Sequence, residues 1–140
     1  MKIALGSKYL DGPYGGGNLF IKNLRNLLTF EGHDIVYDLL DDDIDIILLT
    51  NPLIDSEHST FNHLDIINYQ KFVNPNSISI QRINECDERK NTKNVNKQII
   101  KSNSEMDYTI FVSSWLKNLY KDQGMDVSHS KVILSGSDNN

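Results

Sequence analysis

The sequence is poor in cysteine, proline and tryptophan, and it has no long hydrophobic run. Cys86 is the only cysteine among 140 residues, so the chain cannot form a disulfide within itself. A single cysteine fits a reducing compartment, and we expect a cytoplasmic protein. The first apolar run is too short for a signal peptide, and no later run has the length of a membrane span. We therefore expect a soluble protein, or at most one peripheral to a membrane.

Basic residues are outnumbered, with 14 Lys and Arg against 19 Asp and Glu and a formal net charge of -5. General nucleic-acid binders capture the phosphate backbone with clustered Lys and Arg, so this balance argues against that class. A chain of 140 residues can bury a core without a disulfide or a metal ion. We expect one domain spanning residues 1–140.

Short apolar segments alternate with amphipathic segments along the chain. The predicted strands are residues 2–6, 34–38, 43–52, 77–81, 108–113 and 131–136, the third ending at Pro52. The predicted helices run from a cap at Asn18 to Gly32, over 60–72, over 92–103, and from a cap at Ser113 or Ser114 to Gly124. This alternation predicts an α/β fold, a Rossmann-like doubly wound parallel sheet of about six strands with helices on both faces. We expect the strand order 3-2-1-4-5-6.

Helical spacing also predicts which side chains face the sheet. They are Phe20, Leu24, Leu27 and Leu28 in the first helix, Phe61, Leu64, Ile67 and Phe72 in the second, Val95, Ile99 and Ile100 in the third, and Trp115, Leu116, Leu119 and Tyr120 in the fourth.

The loop LDGPYGGGN connects the first predicted strand to the first predicted helix. Ligands of parallel sheets bind at the carboxyl ends of the strands, where this loop lies. Gly15, Gly16 and Gly17 let the backbone approach a ligand, and the helix beginning at Asn18 presents free N-H groups to an anion. We predict phosphate or sugar binding here, and a plain mobile connection is the alternative.

Two common phosphate-binding motifs do not fit this loop. A dinucleotide fingerprint needs its first glycine in a tight turn at the strand end, whereas Gly15 lies well past Gly6 and Phe20 occupies the place of the third glycine. Asp38 has the position of the ribose-binding acid, but without the glycines we do not expect NAD. No lysine follows the glycines as a nucleotide-triphosphate loop requires.

Other candidate residues are assigned no chemistry. Asp41, Asp42 and Asp43 precede a strand at the amino end of the sheet, so we interpret them as a solvated turn. Cys86 has no identifiable histidine base. The four histidines lack the spacing of a zinc helix, and we expect none of them to bind metal: His33, His58, His63 and His129.

Three segments carry a resemblance to a known family. QRINECDERK, SEMDYTIFVSSWLKNLY and VILSGSDNN together resemble the N-terminal half of a family 4 glycosyltransferase. The resemblance covers essentially the whole chain. It implies one half of a GT-B fold, whose two Rossmann-like domains transfer a sugar from a nucleotide diphosphate sugar to an acceptor hydroxyl with retention of configuration.

The resemblance also implies site residues. Gly15, Gly16 and Gly17, with the adjacent Asn18, would line the cleft near the donor diphosphate and sugar. Three residues after the fourth strand, Arg82, Asn84 and Asp87, would face the same cleft, where Arg can hold an anion and Asn or Asp can bind sugar hydroxyls. The alternative is a loop ion pair between Arg82 or Arg89 and the nearby acids. No cofactor and no obligatory metal are implied.

From the resemblance, we expect this chain to lack the donor-binding domain of that family. The family's paired glutamates are spaced eight apart, and no two glutamates of this sequence have that separation. The end of the sequence, SGSDNN, has Ser where the family usually has Asn before Gly. We expect no efficient transfer by this half alone, because catalysis needs donor and acceptor in one cleft.

Two further hypotheses stay open. The first is the alternative to an enzyme: a non-catalytic module that binds a sugar or nucleotide, or that pairs with a protein. The pairing face would be the one that a second domain would cover, and a missing domain or a second copy could also occupy it. Arg89, Lys93, Lys97 and Lys101 recur every four residues, which predicts a basic helix face. That face is either solvated or, as in some members of the resembling family, docked on an anionic membrane.

Overall fold

The computed structural model describes residues 1–51 and 59–136. Its strands are β1 (Lys2–Leu5), β2 (Asp34–Val36), β3 (Ile46–Leu49), β4 (Ile78–Ile83), β5 (Tyr108–Phe111) and β6 (Ser130–Val132). Its helices are α1 (Gly16–Phe30), α2 (His63–Phe72), α3 (Asp87–Lys90), α4 (Val95–Asn103) and α5 (Ser114–Asp122). All six strands pair in parallel in one sheet. The predicted Rossmann-like α/β fold is confirmed.

The strand order is β2-β1-β3-β4-β5-β6, so the predicted order 3-2-1-4-5-6 is wrong. Strand β3 lies between β1 and β4, and Ile47 and Leu49 on it are fully buried. A run of four Ile and Leu needs cover on both faces and a neighbour on both sides. Strand β2 has three residues, none of them buried, and it takes the edge position that the predicted order gave to β3.

Helices cover both faces of the sheet, as the sequence predicts. On one face, α1 packs Phe20, Leu24 and Leu28 against a cluster of Ile3, Leu5 and Leu48. The opposite face carries two clusters, which α2, α4 and α5 cover. Their buried members are Ala4, Ile44, Ile47, Leu49, Phe61, Ile66 and Tyr69 in one, and Ile83, Cys86, Ile99, Phe111, Leu116, Tyr120 and Met125 in the other.

The helix ends follow their signals with one exception. Helix α1 begins at Gly16 after an N-cap at Gly15, so the prediction that Asn18 caps it is wrong. Gly32 ends it at a φ of +87°, a conformation that favours glycine. The hydroxyl oxygen of Ser113 accepts a hydrogen bond from the Leu116 N-H at 3.1 Å and caps α5 as predicted.

Some predicted inward positions are wrong. Leu27, Leu64, Phe72 and Trp115 are exposed. Helix α2 instead buries His63, Ile66 and Tyr69. Its pattern misleads because the Tyr69 hydroxyl is needed inside, where it donates to the carbonyl oxygen of Asp41 at 2.7 Å and accepts from the Ile44 N-H at 3.1 Å.

The acidic turn of Asp41 to Asp43 and the predicted basic helix face both differ from their predictions. The Lys2 ammonium group donates to Asp41 at 2.9 Å and to Asp43 at 2.6 Å, which neutralises part of the turn at the amino edge. Arg89 belongs to α3 whereas Lys97 and Lys101 belong to α4, so the predicted stripe does not form one helix face. The predictions for Pro52, His58 and the terminal segment 137–140 lie outside the described residues.

Candidate functional site

A cavity of about 380 Å³ opens at the carboxyl edge of the sheet, where β1, β3 and β4 end. The glycine loop and the start of α1 form one wall, and the residues after β4 form the other. Its lining residues are Ser7, Lys8, Leu10, Tyr14, Gly15, Gly17, Asn18, Phe20, Ile21, Thr50, Asn51, Arg82, Asn84, Glu85 and Lys90.

The first turn of α1 has no side-chain cap. Gly15 precedes it without a capping hydrogen bond, and no acidic residue lies in the first turn. The first N-H groups of an α-helix have no partner within the helix. Since Gly17 and Asn18 of this turn line the cavity, the positive end of the helix dipole lies at its wall.

Arg82 supplies the cavity with a positive charge. It occupies the penultimate position of β4 and stacks on the ring of Phe20 from α1, with the guanidinium carbon 3.8 Å from the ring centre. Burial lowers the pKa of its guanidinium, which nevertheless stays charged because arginine does not deprotonate in proteins. Among the described residues, no carboxylate pairs with Arg82. This result counts against the loop ion pair considered from the sequence.

Lys90 and Glu85 neutralise each other at the far side of the cavity. The Lys90 ammonium group donates to the Glu85 carboxylate, and both line the cavity with Asn84. The lining therefore holds two cations without a described ion pair, Lys8 and Arg82, and it favours an anionic ligand with hydroxyl groups that Asn84 can bind.

Asn18 does not cap α1, but it has a structural role that was not predicted. Its amide oxygen accepts from the Leu10 N-H at 2.8 Å, and its amide nitrogen donates to the Leu10 carbonyl oxygen at 2.6 Å. These two hydrogen bonds tie the two ends of the glycine loop together. Asn18 therefore shapes the cavity wall besides lining it.

The three glycines are not equivalent. Gly15 and Gly17 line the cavity, and Gly16 does not. A Cβ atom added to any of the three would meet nothing within 4 Å. The glycines therefore leave open space at the cavity wall, and packing does not require them.

Asp87 lies outside the cavity lining. The Thr92 hydroxyl donates to its carboxylate and lowers its pKa most, and the N-H groups of Val95 and Asn96 donate at 3.0 and 3.1 Å. Asp87 thus holds the start of α4. Its predicted contact with substrate stays a prediction, and its position gives that contact no support.

Asn96 connects this segment to α5. Its amide oxygen accepts from the Asp87 N-H at 2.8 Å and from the Tyr120 hydroxyl at 3.1 Å. Its amide nitrogen donates to the carboxylate of Glu88 and to the side-chain oxygen of Gln123. These bonds position the loop after β4, which carries Asn84.

Cys86 is fully buried in the core beside Phe111 and Tyr120, so its thiol does not face the cavity. Asp38 is exposed, and its carboxylate accepts from the Leu40 N-H at 3.1 Å. Within residues 1–51 and 59–136, no cluster of three His, Cys, Asp or Glu side chains is placed to hold a metal ion. In the same residues, no helix is both long enough and apolar enough to cross a membrane.

Several residues that line the cavity were not predicted from the sequence. Ser7 and Thr50 follow β1 and β3, and their hydroxyl oxygens lie 2.6 Å apart in a hydrogen bond beneath the cavity. The signal was available, because polar residues that directly follow two parallel strands meet at one edge. The wrong strand order concealed it by separating these two strands.

The fold and the cavity define a Rossmann-like domain with an anion-suited cleft at the carboxyl edge of a parallel sheet. Scans with this sequence against models of protein families and against curated proteins found no match.

Proposed function

We propose that this chain is the acceptor-side half of a retaining glycosyltransferase and that its cavity binds the diphosphate and sugar of a nucleotide diphosphate sugar. The observation that carries the proposal is Arg82, a half-buried guanidinium without a described ion-pair partner, in a cavity that also contains the uncapped first turn of α1. Both features attract phosphate oxygens. The segments around Arg82 and β5 that resemble the family supply the sugar-transfer chemistry.

In the proposed reaction, an acceptor hydroxyl attacks the anomeric carbon of the donor sugar. A bond forms between the acceptor oxygen and that carbon, the bond from the carbon to the diphosphate oxygen breaks, and the hydroxyl proton leaves with the nucleoside diphosphate. Arg82 and the α1 N-H groups would stabilise the charge that develops on the diphosphate. Asn84 would bind a sugar hydroxyl.

A donor-binding half is needed to hold the nucleotide, so the proposed activity of this chain alone is binding without efficient transfer. The intact mass of the protein from its native source decides whether such a half follows residue 140. A mass of 16.0 kDa would direct the search to a partner chain or to a binding role.

Diphosphate binding tests the proposal on the chain as it stands. Titration calorimetry with inorganic pyrophosphate, uridine diphosphate and guanosine diphosphate should show weak binding that weakens further with added salt. Arg82→Gln should reduce the affinity at least tenfold, a loss of about 1.4 kcal/mol in line with a charge-assisted contact.

Arg89→Gln is the matched control, because Arg89 is exposed and lies outside the cavity lining. It should change the affinity less than twofold. If none of the three diphosphates binds, or if the two variants weaken binding equally, the cavity is not a diphosphate site.

A further inference from the structure

Half of one sheet face is left uncovered by the described helices. Ile80 of β4 belongs to the cluster under α1, and Arg82 stacks on Phe20 of that helix, so these alternate residues of β4 face the α1 side. The register places Tyr108 beside Ile80 and Ile110 beside Arg82. Their neighbours Ile83 and Phe111 point to the opposite face, which α4 and α5 cover.

This open half, defined by Ile78, Ile80, Tyr108 and Ile110, has an apolar centre, and the exposed Lys131 of β6 lies beside Ile110 at its edge. Tyr108 is 49% and Ile78 41% exposed, although sheets made only of parallel strands normally have both faces covered. Helix α1 packs on this side over β1 and β3, whereas α2, α4 and α5 pack on the other side.

The outer side of α1 combines exposed apolar side chains with uncharged polar ones. Ile21 is buried against the sheet, and Phe30 lies about two and a half turns further on, directly opposite, with 86% of its surface exposed. Leu19 and Leu27 are exposed near it, and the polar residues between them, Asn23 and Asn26, carry no charge. Amphipathic helices that face solvent normally carry charges there.

We propose that a second copy of this chain covers the open half, by laying the outer side of its α1 on it. A twofold axis parallel to the strands places the two α1 helices side by side in one layer between the two sheets. Each helix then packs its inner side on its own sheet and its outer side on the partner sheet. The arrangement is closed and self-complementary, as a twofold dimer requires.

The positions along the strands agree with this arrangement. Helix α1 runs antiparallel to β1, so Phe30 at its end lies at the amino edge of the sheet, where β4 and β5 begin. Phe30 of one copy therefore reaches Ile78 and Tyr108 of the other. Leu27 lies two turns after Phe20, on the flank toward β4, and it would meet its counterpart at the axis.

The area reaches the lower bound for a specific dimer. Leu19, Leu27, Phe30, Ile78 and Tyr108 together leave roughly 500 Å² of surface to cover on each copy, and the half-buried Ile80 and Ile110 add to it. Two copies therefore exceed the total of about 1,000 Å² that a specific interface needs, although each stays below the standard of about 800 Å² per partner. The cleft at the carboxyl edge is not part of this interface, so the proposal is independent of the proposed function.

Sedimentation velocity at 5 to 100 µM protein, a concentration range chosen on the order of ordinary dimer affinities, tests the proposal. The unmodified chain should sediment as a dimer of twice 16.0 kDa. Phe30→Asp and Tyr108→Asp should each give monomers with unchanged circular dichroism. Phe72→Asp should leave the dimer intact, because Phe72 is an equally exposed aromatic residue on α2, across the sheet.

A cysteine cross-link provides a second measurement that does not depend on disruption. Leu27→Cys should form a disulfide-linked dimer under mild oxidation, and Phe72→Cys should not, because Phe72 lies across the sheet from the proposed interface. The native Cys86 is buried, so it should not form a cross-link itself. A monomeric unmodified chain at all concentrations overturns the proposal and leaves the open half to a different protein segment. A dimer that survives Phe30→Asp overturns it in favour of another interface.

Discussion

Replacing Arg82 by methionine should stabilise the domain while it abolishes diphosphate binding. The guanidinium is half-buried, and among the described residues it has a ring contact but no carboxylate partner. Fully burying an unpaired charge costs several kcal/mol, and the solvent that still reaches Arg82 reduces this to about 1–2 kcal/mol. Methionine removes that cost and keeps a side chain of similar length over Phe20.

The ring contact does not reverse the sign. Losing the cation-π interaction costs about 0.5–1 kcal/mol, and the contact of a methionine sulfur with an aromatic ring returns about 0.3–1.5 kcal/mol. The net expectation is a gain of about 1 kcal/mol in the free energy of unfolding. With a urea m-value of about 1–3 kcal/mol/M, the midpoint of unfolding should rise by about 0.3–1 M at unchanged m.

Urea unfolding followed by circular dichroism measures this midpoint. Arg89→Met is the exposed control, and it should change the free energy of unfolding by less than about 0.5 kcal/mol. A destabilisation of about 1 kcal/mol or more by Arg82→Met would contradict this prediction, because it would mean that the Arg82 side chain stabilises the fold. A gain in stability with retained diphosphate binding would refute the ligand role alone.

Three further predictions concern the cavity wall, a buried hydroxyl and a buried histidine. Gly17→Val should weaken pyrophosphate binding by filling the cavity, whereas Gly16→Val, equally free of clashes but outside the lining, should leave binding within twofold in the same calorimetric titration. Tyr69→Phe should lower the free energy of unfolding by about 1–3 kcal/mol in urea, because two backbone groups lose their partner; an unchanged midpoint would contradict this. Burial, reinforced by the charge of a nearby lysine, lowers the pKa of His63 below its ordinary value of 6.5. The unfolded chain then binds the proton more readily, so the free energy of unfolding should be unaffected by His63 above about pH 6.5 and should fall as the pH drops below it. His63→Gln should reduce this fall in unfolding curves from pH 7 to 5. An unchanged slope would exclude His63 as its source.

Periodicity predicted the fold class because it records burial, and burial is what each segment of a parallel sheet must achieve. The Ile and Leu run of β3 and the alternation in β4 therefore identified strands correctly. Strand order depends on which crossovers pack best, and no short segment records that choice. The fully apolar β3 did carry a usable signal, since an edge position would have left one side of it unpaired.

Helix faces were predicted less well where polar groups are needed inside. Tyr69 and His63 are buried on α2 although neither continues its apolar pattern, and Leu64 is exposed in their place. The hydroxyl of Tyr69 satisfies two backbone groups of the turn before β3, a demand set by a segment distant in sequence. Such long-range requirements shift the buried face of a helix without changing its composition.

The location of the cleft was predicted although the strand order was wrong, and the connectivity explains why. The connection from β1 to β2 runs through α1 on one face, whereas the connection from β3 to β4 runs through α2 on the other face. The two crossovers diverge between β1 and β3, and a crevice must open at the carboxyl edge of these strands. Any strand order in which the crossovers diverge beside β1 places the loop after β1 in that crevice. A loop carrying Gly15 to Gly17 leaves room there for a ligand. The contact between Arg82 and Phe20 also needs β4 to lie close to α1. The predicted order placed β4 directly beside β1, and the observed order puts one strand, β3, between them, so both orders keep Arg82 near α1 and the cavity.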